Sequence, residues 1–451
     1  MRPTPLFAAL LLVSSTAMAQ GHVAVISVDG LGARELFGAP SCMSSAPTIR
    51  ALADRGATSH GVRGVLPAIT YPAHATISTG TLPTRHGVHD NGLRGVWFKD
   101  RSAIKGTTLW DAARTAGRSV AIVTWPSTYG ASADWLVPED LDNFAVPTEA
   151  LRAGSTPGLF DALAGAVGAP ALMPFTHPEA GTPLDAMTAR FAAEVVRRHK
   201  PALLLAHFLD YDHRMHASPW SAEACAALAR TDAWIAHILA AYRAAGILER
   251  TTVFIVSDHG FLEVKRRVSL FPLLRAAGWD RLFPGVEASH AFDLKLAGGS
   301  AAFYPGPRHG ADWPRRLEAL RPRVERIAGG ALRWITPERA RSMGGFPGAL
   351  FVLCAEPGYA VSAGPPTQTD IWVGAGTRGA HGYCPDEPAM NGLFIASGHG
   401  VRRAGAIRRM SMTDVGPTIA SFLGASMPAA TGSDRSGAFR VRSSRARDAG
   451  R

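Results

Sequence analysis

Four apolar runs recur along the chain, and each ends in polar or glycine-rich sequence. They are His22 to Val28, Ser119 to Thr124, Ala202 to Phe208 and Thr252 to Ser257. Runs of about four to eight residues without regular polar alternation predict strands that are buried on both faces. Helical patterns separate them, so we predict an α/β fold with a mostly parallel central sheet and helices on both faces.

Three segments carry the clearest helix signals. One helix is predicted to begin at Pro47 and another at Ala222, because apolar residues beyond these points follow the helical period of about 3.6 residues. A third is predicted to begin at Thr413-Asp414 and to end near Leu423, where a glycine follows.

The pattern breaks between residues 264 and 376, which are rich in proline and glycine. A charged helix is predicted around Arg315 to Ile327, with strands at Ala301 to Tyr304 and Leu350 to Leu353. We interpret 264–376 as a small inserted α+β subdomain. The predicted catalytic domain then comprises 20–263 and 377–430, followed by a basic flexible tail at 431–451.

The N-terminus has the composition of a signal peptide. Arg2 precedes a short apolar run, Leu6 to Val13, and Ala17-Met18-Ala19 supplies small residues before a cut near Ala19. The run is too short to span a bilayer, and no later stretch could. We therefore predict a periplasmic or secreted protein with residues 1–19 removed and no transmembrane anchor.

The sequence is strongly basic. Its formal charge is +11, and removal of Arg2 leaves +10, because no other charged residue lies in 1–19. Six arginines and two aspartates between Gly432 and Arg451 contribute +4 of this. A basic surface can attract nucleic acid or anionic lipid, but a solvated tail is favoured here, so no specific nucleic-acid partner is predicted.

Four cysteines are present, Cys42, Cys225, Cys354 and Cys384. In an oxidising compartment they would form disulfides, with three possible pairings among which the sequence does not choose.

Chemistry-bearing residues follow the predicted strands where they end. Ligands bind at the carboxyl ends of strands in open α/β sheets, so these segments should converge on one edge. A glycine-flanked histidine, His381, adds a fourth segment. The set contains three aspartates and three histidines, which suits two Zn²⁺ ions with open positions: Asp29, Asp212, His216, Asp258, His259 and His381.

Each of these segments has an ordinary structural explanation when it is taken alone. Asp29-Gly30 could form a turn, Asp212 and His216 could be an i, i+4 helix pair, and Asp258-His259 could cap a helix. A candidate nucleophile favours the metal-site interpretation over these structural roles. Thr70 immediately precedes a predicted helix, whose positive dipole end favours loss of the hydroxyl proton. The alternative role for Thr70 is that of an N-cap.

From His22 to about Gly424, the sequence resembles the nucleotide pyrophosphatase/phosphodiesterase family of the alkaline phosphatase superfamily. The motifs that carry the resemblance keep the family's order and approximate spacing. They are Val28-Asp29-Gly30, Thr70-Tyr71-Pro72, Thr79-Gly80, His86-Gly87 with Asp90-Asn91, Asp212 with His216, Ser257-Asp258-His259-Gly260, and His381-Gly382-Tyr383.

The resemblance implies an alkaline-phosphatase-like three-layer sandwich and a division of the ligands between two zinc ions. One ion would be held by Asp212, His216 and His381, and the other by Asp29, Asp258, His259 and the Thr70 hydroxyl. Thr70 would attack phosphorus and form a phosphothreonine, while Asn91 would bind a non-bridging phosphate oxygen. Substrates would be phosphate diesters or nucleotides.

Further positions concern the substrate pocket and the choice of ligands. Trp125 matches the family's Trp-Pro-Gly except that Ser127 replaces the glycine, and we assign it to the pocket wall. Tyr71 could stack on a flat leaving group or simply pack in the interior, and Phe144 is a further candidate for the pocket. His207, Asp210 and His213 compete with the favoured ligands, but the family spacing Asp-x-x-x-His selects Asp212 and His216. Cys384 is expected to be buried or disulfide-linked and not a ligand.

Rival functions are a phosphomonoesterase or phosphonate hydrolase of the same superfamily, and a non-enzymatic zinc-binding interaction protein. Related monoesterases carry lysine or arginine to neutralise the extra phosphate charge, and Val123 to Thr128 contains neither. Sulfatase activity is disfavoured because Thr70-Tyr71-Pro72-Ala73-His74 has no Cys or Ser nucleophile and no arginine after the proline. We therefore favour an exported phosphodiesterase; its leaving group and protein partners stay open.

Overall fold

A computed structural model of the chain describes residues 21–93, 95–142, 147–168, 172, 181–307, 310–365 and 367–441. The predicted signal peptide at 1–19 lies outside the described residues.

The strands are short and mostly buried. In chain order they are β1 (His22–Val28), β2 (Ala57–Ser59), β3 (Val62–Arg63), β4 (Gly92–Leu93), β5 (Val96–Trp97), β6 (Val120–Val123), β7 (Trp135–Val137), β8 (Leu203–Phe208), β9 (Thr251–Val256), β10 (Leu262–Ser269), β11 (Phe292–Leu296), β12 (Ser300–Pro305), β13 (Leu332–Ile335), β14 (Phe351–Ala355), β15 (Gly358–Ser362), β16 (Trp372–Ala380), β17 (Phe394–Gly398), β18 (Ala404–Ile407) and β19 (Met410–Ser411).

The helices vary from single turns to about six turns. In chain order they are α1 (Arg34–Phe37), α2 (Pro47–Arg55), α3 (Thr70–Thr79), α4 (Pro83–His86), α5 (Leu109–Thr115), α6 (Pro147–Gly154), α7 (Leu159–Val167), α8 (Gly181–His199), α9 (Asp210–Ala217), α10 (Ala222–Ala244), α11 (Leu270–Ala276), α12 (Trp279–Leu282), α13 (Ala288–Ala291), α14 (Trp313–Ala328), α15 (Pro337–Ser342) and α16 (Met412–Phe422).

The central sheet has eight strands in the order β18-β2-β17-β9-β1-β8-β6-β7. Only β17 runs antiparallel to its neighbours, β2 and β9; the other pairs are parallel. The strands β1, β6, β8 and β9 carry almost no exposed position, because helices cover both faces. The predicted mostly parallel α/β sheet is confirmed, and each predicted strand is found within one or two residues.

The helix predictions also agree closely with the structure. Helices α2 and α10 begin at the predicted Pro47 and Ala222. The C-terminal helix α16 begins at Met412, one residue before the predicted Thr413, because its N-cap is Ser411. Ser411 forms a capping box with Asp414, in which each side chain accepts from the other residue's backbone N–H.

Two smaller sheets lie in the region predicted as an inserted subdomain. One has the order β15-β10-β16 and the other β11-β12-β14-β13. The predicted charged helix corresponds to α14, and the two predicted strands correspond to β12 and β14. Their buried side chains form clusters separate from the core around the central sheet. The boundaries 264 and 376 stay a prediction, although β10 and β16 each cross one of them.

The start of the predicted flexible tail packs against the core around the central sheet. Phe439 is fully buried, and its ring lies 5.9 Å from that of Phe422 between centroids. The backbone N–H of Thr431 donates to the carbonyl of Gly80. The prediction of a flexible tail therefore does not hold for 431–441, because an aromatic side chain within the basic sequence completes the core; residues 442–451 lie outside the described residues.

The fold selects one of the three possible cysteine pairings. Cys42 bonds to Cys225, which ties the segment before α2 to α10, and Cys354 bonds to Cys384, which ties β14 to the segment after His381. The expectation that Cys384 is disulfide-linked and not a ligand is confirmed. In the described part of the chain, no helix combines the length and the apolar character needed to cross a membrane.

Candidate metal centre

Six side chains from four distant segments converge at the carboxyl ends of the central strands. Asp29 follows β1, and Asp258 and His259 follow β9, its parallel neighbour. Asp212 and His216 lie on α9, which begins just after β8, and His381 follows β16. The predicted convergence at one edge of the sheet is therefore found.

Three of these residues form a buried group, which we call the inner cluster: Asp29, Asp258 and His259. One potential ligand atom from each lies within 4.8 Å of the others. His259 Nε2 is 3.2 Å from Asp258 Oδ2 and 3.5 Å from Asp29 Oδ1. All three side chains are at most 1% exposed, so water has little access to them.

The remaining three residues form the outer cluster: Asp212, His216 and His381. Their potential ligand atoms also lie within 4.8 Å of one another. His216 Nε2 is 3.4 Å from Asp212 Oδ2 and 3.0 Å from His381 Nε2. The His216 side chain is 45% exposed, whereas those of Asp212 and His381 are 12% exposed. This cluster therefore opens to solvent on one side.

Backbone contacts orient the three imidazole rings. The Nδ1–H groups of His216, His259 and His381 donate to the carbonyls of Gly379, Gly260 and Ala68, at 3.3, 3.3 and 3.1 Å. This tautomer leaves each Nε2 with a lone pair that points into the clusters. The short distance between the Nε2 atoms of His216 and His381 then brings two lone pairs together, which a shared cation would stabilise.

Four ligand atoms have no hydrogen-bond partner among the described residues: Asp29 Oδ1, Asp212 Oδ1, Asp258 Oδ2 and His259 Nε2. Buried polar atoms are rarely left unpaired, because desolvation without a partner costs about 1–3 kcal/mol each. Their concentration in one place, with a mixed oxygen and nitrogen donor set, fits a pair of divalent cations such as Zn²⁺.

The electrostatics favour the same interpretation. Burial, followed by the charges of Asp258 and Asp212, raises the pKa of Asp29 well above its usual value. Burial raises the pKa of Asp212 to about 6 and lowers that of His259 to about 3. Burial also lowers the pKa of His381 well below its usual value. A neutral imidazole is the form that binds a metal, and a bound cation would offset the repulsion between the neighbouring carboxylates that raises their pKa values.

Gly30 allows the two clusters to approach each other. Its φ of 70° lies in the left-handed region, and a Cβ here would lie 2.5 Å from the Phe261 ring and 3.1 Å from Asp212 Oδ1. Any larger residue would therefore clash with the Phe261 ring and crowd the Asp212 carboxylate.

Thr70 is the first residue of α3, and the preceding N-cap position is held by the extended Ile69, which makes no side-chain cap. The structure therefore does not give Thr70 the alternative role of an N-cap. The Thr70 side chain is partly exposed at the positive end of the helix dipole. Asn91 lies at the same helix end, where its Oδ1 accepts from the Tyr71 N–H at 2.9 Å. The amide nitrogen of Asn91 is then the group able to donate to a ligand.

A further histidine, His74, supports the start of α3. Its Nδ1–H donates to the Thr70 carbonyl at 2.9 Å, and Ser27 Oγ–H donates to its Nε2 at 2.9 Å. Burial lowers the pKa of His74 to about 3, which keeps this ring neutral. The ring links the helix of Thr70 to β1, a role that sequence reasoning did not assign.

His207 and Glu139 form a buried chain that ends at the inner cluster. His207 Nε2 donates to Asp29 Oδ2 at 3.1 Å, and its Nδ1 donates to Glu139 Oε2 at 3.0 Å. Burial alone would lower the pKa of His207, but the hydrogen bonds to Asp29 and Glu139 outweigh it and raise that pKa well above its usual value. Sequence reasoning missed Glu139, although it follows the end of β7 and so carries the same signal as the other strand-end acids.

The predicted pocket side chains do not line an open surface in this structure. Tyr71 and Trp125 are fully buried: the Tyr71 hydroxyl donates to Glu139 Oε1 at 2.8 Å, and the Trp125 Nε1–H donates to Ser78 Oγ at 3.0 Å. Because each polar group already has a buried partner, the structure does not support their assignment to a substrate pocket. Phe144 lies outside the described residues.

Comparison with known proteins bears on this geometry. The model of the family described as "Type I phosphodiesterase / nucleotide pyrophosphatase" matches residues 23–383, which include all six clustered side chains. A curated relative, ectonucleotide pyrophosphatase/phosphodiesterase family member 3 from Rattus norvegicus, is 28% identical over 120 residues. The match covers 24% of this chain and spans 13% of that relative's length.

Solved structures show a related fold. Murine ectonucleotide pyrophosphatase/phosphodiesterase 5, as an inactive variant in complex with AMP, superposes with a TM-score of 0.64 at 18% identity and covers 93% of this chain and 100% of that chain. The human counterpart gives a TM-score of 0.63, also at 18% identity, with the same coverage. At this level of identity the likeness shows the fold, and it confirms the predicted alkaline-phosphatase-like architecture.

Proposed function

Because the chain belongs to the type I phosphodiesterase/nucleotide pyrophosphatase family, we propose that it is an exported hydrolase that cleaves phosphate diesters or nucleotides with two zinc ions and a covalent intermediate on Thr70. The observation that carries the proposal is the convergence of four unpartnered ligand atoms, among the described residues, next to the helix that begins with Thr70, whose His74 Nδ1 lies 3.8 Å from Asp258 Oδ2.

The ligands for the two ions would be those of the inner and outer clusters, with the Thr70 hydroxyl added to the inner set. When bound, the ions would offset the charge of the phosphate and lower the pKa of the attacking hydroxyl. The buried inner cluster suits the ion that would activate the nucleophile. The more open outer cluster suits the ion that would face the leaving group. This assignment is supported by the separation of the six residues into two groups of three, each with potential ligand atoms within 4.8 Å of one another.

The chain's own residues would act as follows. The Thr70 oxygen forms a bond to phosphorus as the bond to the leaving oxygen breaks, which gives a phosphothreonine that keeps the second ester substituent. The proton of the Thr70 hydroxyl is lost in this step, and the leaving oxygen takes up a proton from solvent. Water then attacks phosphorus and breaks the bond to Thr70, which restores the hydroxyl with a proton and releases the phosphate monoester. The Asn91 amide nitrogen would donate to a non-bridging oxygen, and the α3 dipole would favour the negative charge that develops there.

Export is supported by two disulfides that involve all four cysteines, which is the usage typical of oxidising compartments. Together with the signal-peptide composition of residues 1–19, this points to the periplasm or the exterior. N-terminal sequencing of the mature protein should find a start near Gln20; an intact Met1 in the active protein would contradict export.

The direct test is to trap the intermediate. Thymidine 5′-monophosphate p-nitrophenyl ester is mixed with the zinc-loaded enzyme, quenched in acid within the first turnover, and digested for mass spectrometry. We expect the peptide that contains Thr70 to carry a thymidylyl group. Burst release of p-nitrophenol without any modified peptide, or modification at another residue, would refute the covalent role of Thr70.

A further inference from the structure

A cleft with a volume of about 440 Å³ lies on the surface, and Leu262, three residues after His259 in the chain, is among its lining residues. Cationic and aromatic side chains dominate its lining: Arg34, Trp220, Lys265, Arg266 and Tyr359. We call it the basic cleft. None of the six clustered ligands is among its lining residues, and its volume falls within the range of about 300–1,000 Å³ that is typical of small-molecule sites.

Trp220 is held in an unusual conformation at one wall. Its φ of 53° is rare for a bulky residue, and such strain persists only where the surroundings enforce it. Its Nε1–H donates to Glu35 Oε1 at 2.7 Å, and the Arg34 guanidinium lies 4.7 Å from the ring centroid. Glu35 is itself fixed, because its Oε2 accepts from the Cys42 N–H at 2.7 Å. The wall is therefore rigid before any ligand binds.

A β-bulge shapes the part of the cleft that β10 and β15 form. The pairing of β10 with β15 runs from Val264↔Gly358 directly to Arg266↔Tyr359, which leaves Lys265 as the extra residue. The bulge breaks the alternation of the strand, so both Lys265 and Arg266 are exposed. Arg266 lies over the Trp372 ring at 4.9 Å, which holds the guanidinium near the surface of the sheet.

The cleft carries an excess of positive charge. Among the described residues, no carboxylate lies within ion-pair distance of Arg34, Lys265 or Arg266, and the exposed Glu263 is the one acid in the lining. Arginine and lysine side chains without acidic partners are the groups that bind phosphate, and flat aromatic rings bind planar groups by stacking.

We propose that the basic cleft is a second binding site, separate from the metal centre, for a nucleoside monophosphate. Its phosphate would contact Lys265 and Arg266, and its base would pack against Trp220 or Tyr359. Arg34 would contribute positive charge and its remaining Nη1, because its Nε and Nη2 already donate to the Ala39 carbonyl. The inference goes beyond the proposed hydrolysis and does not rest on it, because binding at this site needs no turnover.

Isothermal titration calorimetry of the zinc-loaded protein with AMP, adenosine and inorganic phosphate tests the proposal. The double variant K265M/R266M removes two charges from the cleft, and R408M/R409M removes two exposed charges elsewhere as a matched control. We expect the wild type and the control to bind AMP in the basic cleft with the same affinity. In the cleft variant, the affinity of this site for AMP should fall at least about ten-fold. Adenosine or phosphate alone should bind the wild type more weakly than AMP.

Hydrolysis of a p-nitrophenyl diester by the same proteins gives the second measurement. Values of kcat and KM that stay within about two-fold in the cleft variant support a separate site. The same AMP number and affinity in all three proteins would overturn the proposal, as would an equal loss of AMP binding in the control. An increase in KM of about ten-fold in the cleft variant would also overturn it, because the cleft would then be part of the substrate site. Circular dichroism and thermal unfolding of each variant check that the fold is intact.

Discussion

The inner and outer clusters contain the same kinds of side chains but are built differently. The inner cluster lies at the ends of two adjacent parallel strands, and its residues are almost entirely buried. The outer cluster combines a helix with the segment after β16, and His216 is nearly half exposed. Strand ends in a buried sheet give a preorganised site, whereas a helix and a loop leave room for exchange with solvent and substrate.

The inner cluster also has the more extensive support. Asp258 Oδ1 accepts from the N–H groups of Gly30 and His259, at 3.1 and 3.0 Å, and Asp29 is bonded to His207. In the outer cluster, the α9 helix is instead anchored through its start: Asp185 accepts from the Leu209 and Asp210 N–H groups. The carboxylates of the inner cluster are held directly by hydrogen bonds, whereas the outer cluster depends on the anchoring of α9 and on the backbone contacts of His216 and His381.

Removal of the nucleophile proposed for the inner cluster should have the largest effect. Thr70→Ala is expected to lower kcat by about three or more powers of ten, as loss of a nucleophile does, while about two zinc ions per chain remain because both clusters keep their side chains. Steady-state kinetics and elemental analysis measure this. Thr70→Ser retains a hydroxyl and serves as the control; near-normal turnover in Thr70→Ala would remove this residue from the mechanism.

The charge available around the two clusters should set the substrate preference. Val123 to Thr128 contains no lysine or arginine, and Lys295 is paired at 3.6 Å with Asp90, which precedes Asn91 in the chain. Each missing charge-assisted contact is worth about 1.5–3 kcal/mol, so two would favour diesters over monoesters by roughly two to four powers of ten.

The measurement is kcat/KM for thymidine 5′-monophosphate p-nitrophenyl ester against p-nitrophenyl phosphate at one pH. Equal or reversed values would refute the diesterase proposal and support the phosphomonoesterase alternative.

Loss of one ligand should lower zinc affinity at one cluster and leave the other unchanged. His259→Gln removes a nitrogen ligand from the inner cluster, and His216→Gln removes one from the outer cluster. Each substitution should lower zinc affinity at its own cluster by more than the roughly 10–100-fold that is typical of changes outside the ligand shell. We expect a chelator to remove the outer ion first from the wild type, because His216 is exposed. Release of both ions at one rate would show that the structural contrast has no kinetic consequence.

The buried chain behind the inner cluster should have an intermediate effect. Glu139→Gln weakens the hydrogen bond to His207, which orients Asp29. We expect zinc affinity at the inner site to fall by about 10–100-fold with the outer site unchanged. Competition with a chromophoric chelator measures both affinities. The exposed Glu149→Gln is the matched control, and an equal change in that variant would argue against a positioning role.

The pH dependence of zinc affinity at the outer cluster should be the smallest effect. Because burial raises the pKa of Asp212 to about 6, protons compete with the metal as the pH falls through this value. At roughly one unit below that pKa, about one carboxyl in ten is ionised, so zinc affinity at about pH 5 should be about ten-fold lower than at about pH 7. The sign follows from the raised pKa, since the protonated form gains population as the pH falls. A zinc affinity that does not change over this range would contradict the prediction.

Several features followed from the sequence alone. The uninterrupted apolar runs specified β1, β6, β8 and β9 within one or two residues, because strands buried on both faces leave no polar alternation. Strand-end position then predicted which aspartates and histidines meet. The short strand β7 was missed, and with it Glu139, because three apolar residues give too weak a pattern.

The tertiary structure decided what local patterns do not encode. The pairing of Cys42 with Cys225, the burial of Tyr71 and Trp125, and the packing of Phe439 all depend on segments that are distant in the chain. The division of six ligands into a buried and an exposed cluster is of the same kind. Residue type and spacing determine which groups can bind a metal, but exposure and hydrogen-bond partners arise only when the strands, α9 and the segment after β16 pack together.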